Sequence, residues 1–102
     1  MLPVVYLPAA AAHLAAIEDY IADQGSALVA ERYVHKIVAR CELIAALPLA
    51  GRLRREANAG LRSVSFKGRV TIFYRVSEKA ILIVGVRYGG QDEARFLATL
   101  PR

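Results

Sequence analysis

The chain has 102 residues, 56% of them hydrophobic and 23% charged, which suits one compact domain with a single core and is too short for two that fold independently. This composition excludes a disordered chain, and no apolar run approaches the roughly 18 residues that cross a bilayer. The net charge of +5 and pI near 9.8 are unevenly spread: residues 1 to 31 hold four acids (Glu18, Asp19, Asp23, Glu31) and no Lys or Arg, whereas residues 32 to 102 hold all fourteen basic residues against five acids, a balance of +9. The basic part is expected to attract an acidic protein or nucleic acid.

The opening "MLPVVYLPAAAAHLAA" has no Lys or Arg before its apolar part and is interrupted by Pro3, Pro8 and His13, so it reads as folded protein and not as a signal peptide. Within it, "VVYL" at 4 to 7 is β-branched and aromatic between two prolines, which predicts a first strand. From Ala9 the chain is alanine-rich, with Leu14, Ile17 and Ile21 at helical spacing and Glu18, Asp19 and Asp23 facing away. That pattern predicts an amphipathic helix to about Asp23, with Gly25 placed to end it and Ser26 to cap the next. A second helix, about Ala27 to Ala46, puts Ala30, Tyr33, Val34, Ile37, Cys41 and Ile44 on one stripe and Arg32, Lys36 and Arg40 on a basic stripe beside it. The short loop between the helices favours an antiparallel hairpin, and Pro48 stops the helical pattern. Cys41 is the only cysteine; it reads as a buried small hydrophobe and fits a reducing cytoplasm.

Residues 48 to 60, "PLAGRLRREANAG", show no periodicity and are expected to form a mobile, basic connection. Two strands follow, Leu61 to Phe66 and Arg69 to Val76, across a tight Lys67-Gly68 turn. Alternation sorts Val70, Ile72, Tyr74 and Val76 to one face of the second and Arg69, Thr71, Phe73 and Arg75 to the other. The last strand, Ala80 to Tyr88, is apolar on both sides and therefore expected to be central, with Leu82, Val84, Val86 and Tyr88 opposite to Ile81, Ile83, Gly85 and Arg87. A short terminal helix fits Gln91 to Ala98. The order β-α-α-β-β-β describes an α+β fold in which the helical hairpin buries its stripe on one face of a small, mainly antiparallel sheet. The other face is expected to stay open and to carry Arg69, Phe73, Arg75 and Arg87.

Familiar catalytic patterns are missing: there is no phosphate loop, no zinc-type Cys/His spacing and no supported Ser/His/acid triad. His13 and His35 read as surface residues on helices. The arginines supply one enzymatic idea, with Arg62, Arg69, Arg75 and Arg87 holding an RNA backbone while a base takes the 2′-hydroxyl proton. Glu56 is the carboxylate of the basic connection and Tyr88 the candidate acid. Neighbouring residues of a strand point to opposite faces, however, so Arg87 and Tyr88 do not line one pocket.

The segments "VVYLPAAAAHLAAIEDYIAD", "AERYVHKIVARCELIAALPLAGRLRRE", "GLRSVSF", "TIFYRV" and "VGVRYGGQDEARF" together resemble the ParE branch of the RelE/ParE toxin superfamily over nearly the whole chain. The resemblance is carried by Leu14, Ile17, Tyr20 and Ile21, the Leu47-Pro48-xx-Gly51-Arg52 turn, Gly60-Leu61-Arg62-Ser63, Phe73-Tyr74-Arg75-Val76, and the closing Gly89, Gly90 and Asp92. It implies a cytoplasmic toxin of a type II toxin-antitoxin module, held inactive by a small ParD-like antitoxin and inhibiting DNA gyrase. RelE-like and YoeB-like members of the same superfamily instead cut mRNA on the ribosome. YoeB-like enzymes follow their Arg-Tyr pair with the His-Tyr that does acid-base work, where this chain has Gly89-Gly90.

The resemblance and the expected open face together assign candidate roles. Arg32, Lys36, Arg40, Arg69, Phe73, Arg75 and Arg87 are candidates for antitoxin contact, since such a surface suits an acidic, amphipathic chain that folds on binding. Arg87, Gly89, Gly90 and Asp92 are candidates for target contact. Were the chain a ribonuclease, Glu56, Arg62, Arg75, Arg87 and Tyr88 would form its site. A third reading, a basic nucleic-acid-binding domain, explains the charge but lacks interleaved aromatics or a recognition helix. No cofactor, metal or membrane partner is expected.

Overall fold

Two prolines frame the first strand, β1 (Val4–Tyr6), and Pro8 occupies the first turn of α1 (Pro8–Gln24), where its missing N–H forfeits no helical hydrogen bond. The structure, a computed structural model, describes residues 1–57 and 60–101. Helix α2 (Ala27–Ile44) starts at Ser26, whose hydroxyl accepts the orphan N–H groups of Leu28 and Val29 at 3.2 and 3.3 Å. The predicted stripes are those that meet the sheet: Ala10, Leu14, Ile17 and Ile21 from α1, and Val34, Ile37, Cys41 and Ile44 from α2. Ala10 and Ala30 are fully buried, the small side chains letting backbone approach closely.

The sheet contains β1, β2 (Arg52–Leu53), β3 (Arg62–Phe66), β4 (Val70–Val76) and β5 (Ile81–Tyr88) in the order β1-β5-β4-β3-β2. Only β1 runs parallel to its neighbour, with Val4 opposite Ile81; the other pairings are antiparallel. Strand β5 is central, as its apolar character on both sides predicts. The β3–β4 turn holds Lys67 and Gly68 at φ of 52° and 70°, the left-handed pair that matches strand twist.

Three expectations are corrected. The connection from Pro48 contains an unpredicted strand, β2, and is tied down, although its residues 58 and 59 lie outside the described part. Second, the sheet face opposite the hairpin is not open. The chain after Gly89 folds back as α3 (Glu93–Thr99), and Phe96 and Leu100 form a second core with Leu61, Phe73 and Val84. Phe73 has no exposed surface; burying a side chain of that size stabilises by about 1.5–3 kcal/mol, one of several contributions that hold the helix in place.

Third, the alternation of β5 breaks. Phe73 pairs with Gly85 but Tyr74 with Ile83, so Val84 is an extra residue in a β-bulge. Ile81, Ile83 and Val86 therefore share the hairpin side, while Val84 enters the second core. A Cβ at Gly85 would displace the Leu100 side chain and crowd Phe96 and His13, so glycine lets α3 and the residue that ends it pack closely over the bulge. The Val86 N–H donates to His13 Nδ1 at 3.2 Å, and the imidazole lies against Phe96 with ring centroids 4.8 Å apart. His13 is thus a half-buried strut between α1, the bulge and α3 and not a surface residue; burial lowers its pKa.

Tyr74 locks the connection that follows α2. Its hydroxyl donates to the Pro48 carbonyl at 2.7 Å and accepts the Gly51 N–H at 3.0 Å, and a Cβ on Gly51 would press into the Tyr74 ring. Arg62 adds bonds from one guanidinium nitrogen to the Leu49 and Gly51 carbonyls at 3.1 and 2.9 Å. Elsewhere in the main core Cys41 is fully buried, and desolvation pushes its thiol up to about 11.

Two measurements test these roles. Tyr74→Phe leaves the Gly51 N–H and the Pro48 carbonyl without their partner, and urea denaturation should show a loss of about 1–3 kcal/mol; a loss below about 0.5 kcal/mol would contradict the locking role. For His13, a folded pKa below the unfolded value of about 6.5 means that the unfolded chain binds more protons as pH falls. Its contribution is complete above that value and lost as pH drops through and below it. Melting temperature should fall on acidification from pH 7 to pH 5, and His13→Gln should flatten that part of the curve.

Candidate functional site

The face covered by α3 gathers the chain's densest charge around Arg54, which is 4% exposed. Its guanidinium donates to the Ser63 hydroxyl at 3.0 Å, pairs with Glu56 at 3.0 Å and with Glu93 at 2.9 Å, and lies 5.5 Å from the centre of the Phe73 ring. Burial alone lowers the Arg54 pKa, but the hydrogen bonds it donates to Glu56 and Glu93 outweigh it and the net shift is upward. The same bond holds the Glu56 carboxyl below its usual range. Arg54 does not stand out in the sequence because it sits amid arginines in an aperiodic stretch. The usable signal was Glu56 two residues on, with Glu93 far along the chain.

Arg87 extends this group along β5. It donates to the Thr71 hydroxyl at 3.2 Å and to the Gln91 carbonyl at 3.0 Å, and approaches Glu93 at 3.8 Å. Its Nε is buried without a hydrogen-bond partner. Asp92 caps α3 by accepting the Arg95 N–H at 3.1 Å, which places Glu93 in the first turn beside the two guanidiniums. The Gly89-Gly90 bend, with Gly89 at φ of 73°, therefore returns the tail to the sheet.

The other candidates separate. Tyr88 lies on the opposite side of the sheet from Arg87, its ring 5.9 Å from both Tyr20 and Tyr33. Arg62 pairs across the sheet with Tyr74, on the hairpin side, with one nitrogen committed to loop carbonyls. Arg69 belongs to the hairpin loop and lines a groove with Tyr20, Tyr88 and Gly89, not the face of Phe73 and Arg75. Arg75 stays on the α3 side and donates to the Pro101 carbonyl at 3.2 Å. Arg32 and Lys36 are exposed on α2, and Arg40 is half-buried. Phe73 is inaccessible to a partner while α3 is in place. Among the described residues no three His, Cys, Asp or Glu side chains converge to hold a metal ion, and no helix is long and apolar enough to cross a membrane.

Residues 4–93 match the family model of the ParE toxin of the type II toxin-antitoxin system parDE. The chain belongs to the ParE toxin family. Among solved structures it is similar to one titled "Chromosomal ParDE TA system from P. aeruginosa", with TM-score 0.77 and 23% identity over 88% of this chain and 98% of that one. No curated protein matches. The family's fold is thus shared with this chain, including a helical hairpin and a five-stranded mixed sheet.

The charge cluster makes an ordered prediction. Glu56→Gln with Glu93→Gln leaves a buried guanidinium without counter-charge and should destabilise the chain measurably in chemical denaturation. Arg54→Met should cost less, because the carboxylates it leaves are 50% and 36% exposed and rehydrate. The reverse order would show that Arg54 stabilises the fold mainly by packing on Phe73 and that neutralising its charge matters less.

Proposed function

We propose that this ParE-family chain inhibits DNA gyrase and is kept inactive in the cytoplasm by a ParD-like antitoxin, its single toxin domain acting by binding and not by chemistry of its own. The observation that carries the reading is the separation of the groups a ribonuclease would need. Tyr88 is packed among aromatic rings on one side of the sheet, Arg75 and Arg87 lie on the other, and Glu56 is engaged by Arg54 with a lowered pKa. A general base needs a free lone pair and a pKa near the working pH. Gly89 and Gly90 offer no side chain in place of an acid.

Antitoxin contact is supported by a different surface. Leu43, Leu47 and Leu49 are 64%, 71% and 68% exposed at the C-terminal end of α2 and beyond it, and Arg32 and Lys36 stand exposed on the same helix. Apolar side chains flanked by cations suit an acidic, amphipathic segment that orders on binding. Arg69, beside the groove of Tyr20 and Tyr88, adds a further cation for the same partner.

The test is direct. Purified toxin, added in several-fold excess to gyrase and relaxed plasmid, should reduce supercoiling and accumulate cleaved DNA. Induced without its antitoxin, it should provoke DNA-damage signalling while primer extension shows no new mRNA ends. Cuts within ribosomal A-site codons with supercoiling untouched would overturn the reading.

A further inference from the structure

The cluster of arginines opens on a cavity of about 510 Å³ bordered by residues of β2, β3, β4 and β5 and by Arg40 of α2. Four guanidiniums line it, from Arg40 on α2, Arg52 on β2, Arg54 and Arg87, against one carboxylate, Glu93. Glu93 is already taken by Arg54 at 2.9 Å and lies 3.8 Å from Arg87. Glu56 also pairs with Arg54 at 3.0 Å, so two carboxylates offset two of the four guanidiniums and two positive charges are left over around the opening. Ser65 and Thr71 also line this space, the Thr71 hydroxyl accepting from Arg87 at 3.2 Å. Surplus cations around an opening favour an anion there.

We infer that this cavity takes a phosphate group of a nucleic-acid backbone. A phosphate supplies enough acceptor oxygens for several guanidinium forks and hydroxyls at once, whereas a carboxylate supplies two. Two further observations select a polyanion over a single ion and over an acidic peptide. Arg32 and Lys36 precede Arg40 at intervals of four residues on α2, so a track of cations about 6 Å apart leads from the cavity. The cavity also presents little apolar wall: Val64 is its largest aliphatic side chain and no aromatic ring lines it. A peptide gains affinity from apolar anchors and would find few here, while a phosphodiester strand has none to bury. The absence of a stacking ring makes the contact one of backbone and not of base, hence indifferent to sequence. The proposal does not rest on the gyrase reading, since it concerns toxin and nucleic acid alone.

The experiment titrates purified free toxin into a labelled single-stranded DNA oligonucleotide and follows anisotropy over a range of salt concentrations. Binding is expected to weaken steeply with salt and to be independent of base sequence. Arg40→Ala with Arg52→Ala should lower affinity by at least about tenfold and make the log–log salt slope shallower by about 1.4, two phosphate contacts of about 0.7 each. Removing exposed cations elsewhere, Lys79→Ala with Arg95→Ala, should change affinity less than about twofold. Arg40→Lys with Arg52→Lys, which keeps the charge, should retain the salt slope with part of the affinity and guards against misfolding of the alanine variant. An oligonucleotide bound equally well by the alanine variant overturns the assignment. So does polyglutamate bound more tightly than DNA through the same two residues, which would make the cavity a carboxylate site. Inorganic phosphate saturating the cavity without displacing the oligonucleotide would equally exclude it.

Discussion

The buried guanidinium of Arg54 is the constraint on which one half of the molecule depends. A charge taken out of water is tolerated only with partners around it, and Arg54 collects them from four places: Glu56 beside it, Ser63 on β3, the Phe73 ring on β4 and Glu93 at the start of α3. Neutralising it draws the C-terminal tail onto the sheet. Once there, Phe96 and Leu100 cover Phe73 and Val84, and a face that would have been a half-apolar surface becomes a second core. The main core lies on the opposite side of the sheet, beneath α1 and α2, and His13 links the two sides through Val86 and Phe96.

The bulge at Val84 is the complementary device. One extra residue in β5 redirects Val84 toward α3 and leaves Gly85 as the point where helix and strand nearly touch. His13 then closes the irregular spot by accepting the Val86 N–H. Charge at Arg54 and shape at Gly85 thus fix the same helix from its two ends, α3 being only seven residues long and unable to hold itself by propensity.

For function, the consequence is a division of the surface by side of the sheet. The aromatic trio of Tyr20, Tyr33 and Tyr88 lies with the hairpin; Arg54, Arg75 and Arg87 lie under and beside α3. Glu56 and Glu93 are both engaged by guanidiniums on that side.

The element types and the main core were legible from the residues alone. Periodicity of 3.6 in residues 9 to 44, the Ser26 cap, the Lys67-Gly68 turn and the doubly apolar β5 are local patterns, and each element formed where its pattern lay. Strand parity also separated Arg87 from Tyr88 correctly, because no irregularity falls between them. Three things required the tertiary structure. The bulge shifted the parity of β5 upstream of Gly85, the tail closed a face expected to be open, and the basic connection became ordered around Tyr74 and Arg54. Each depends on partners distant in the chain: Tyr74 for Gly51, Glu93 for Arg54, Leu100 for Gly85. Local propensity sets which residues are helical or extended; which charges are buried, and hence which arginines are available to a partner, is decided only when distant segments supply the counter-charges and the space.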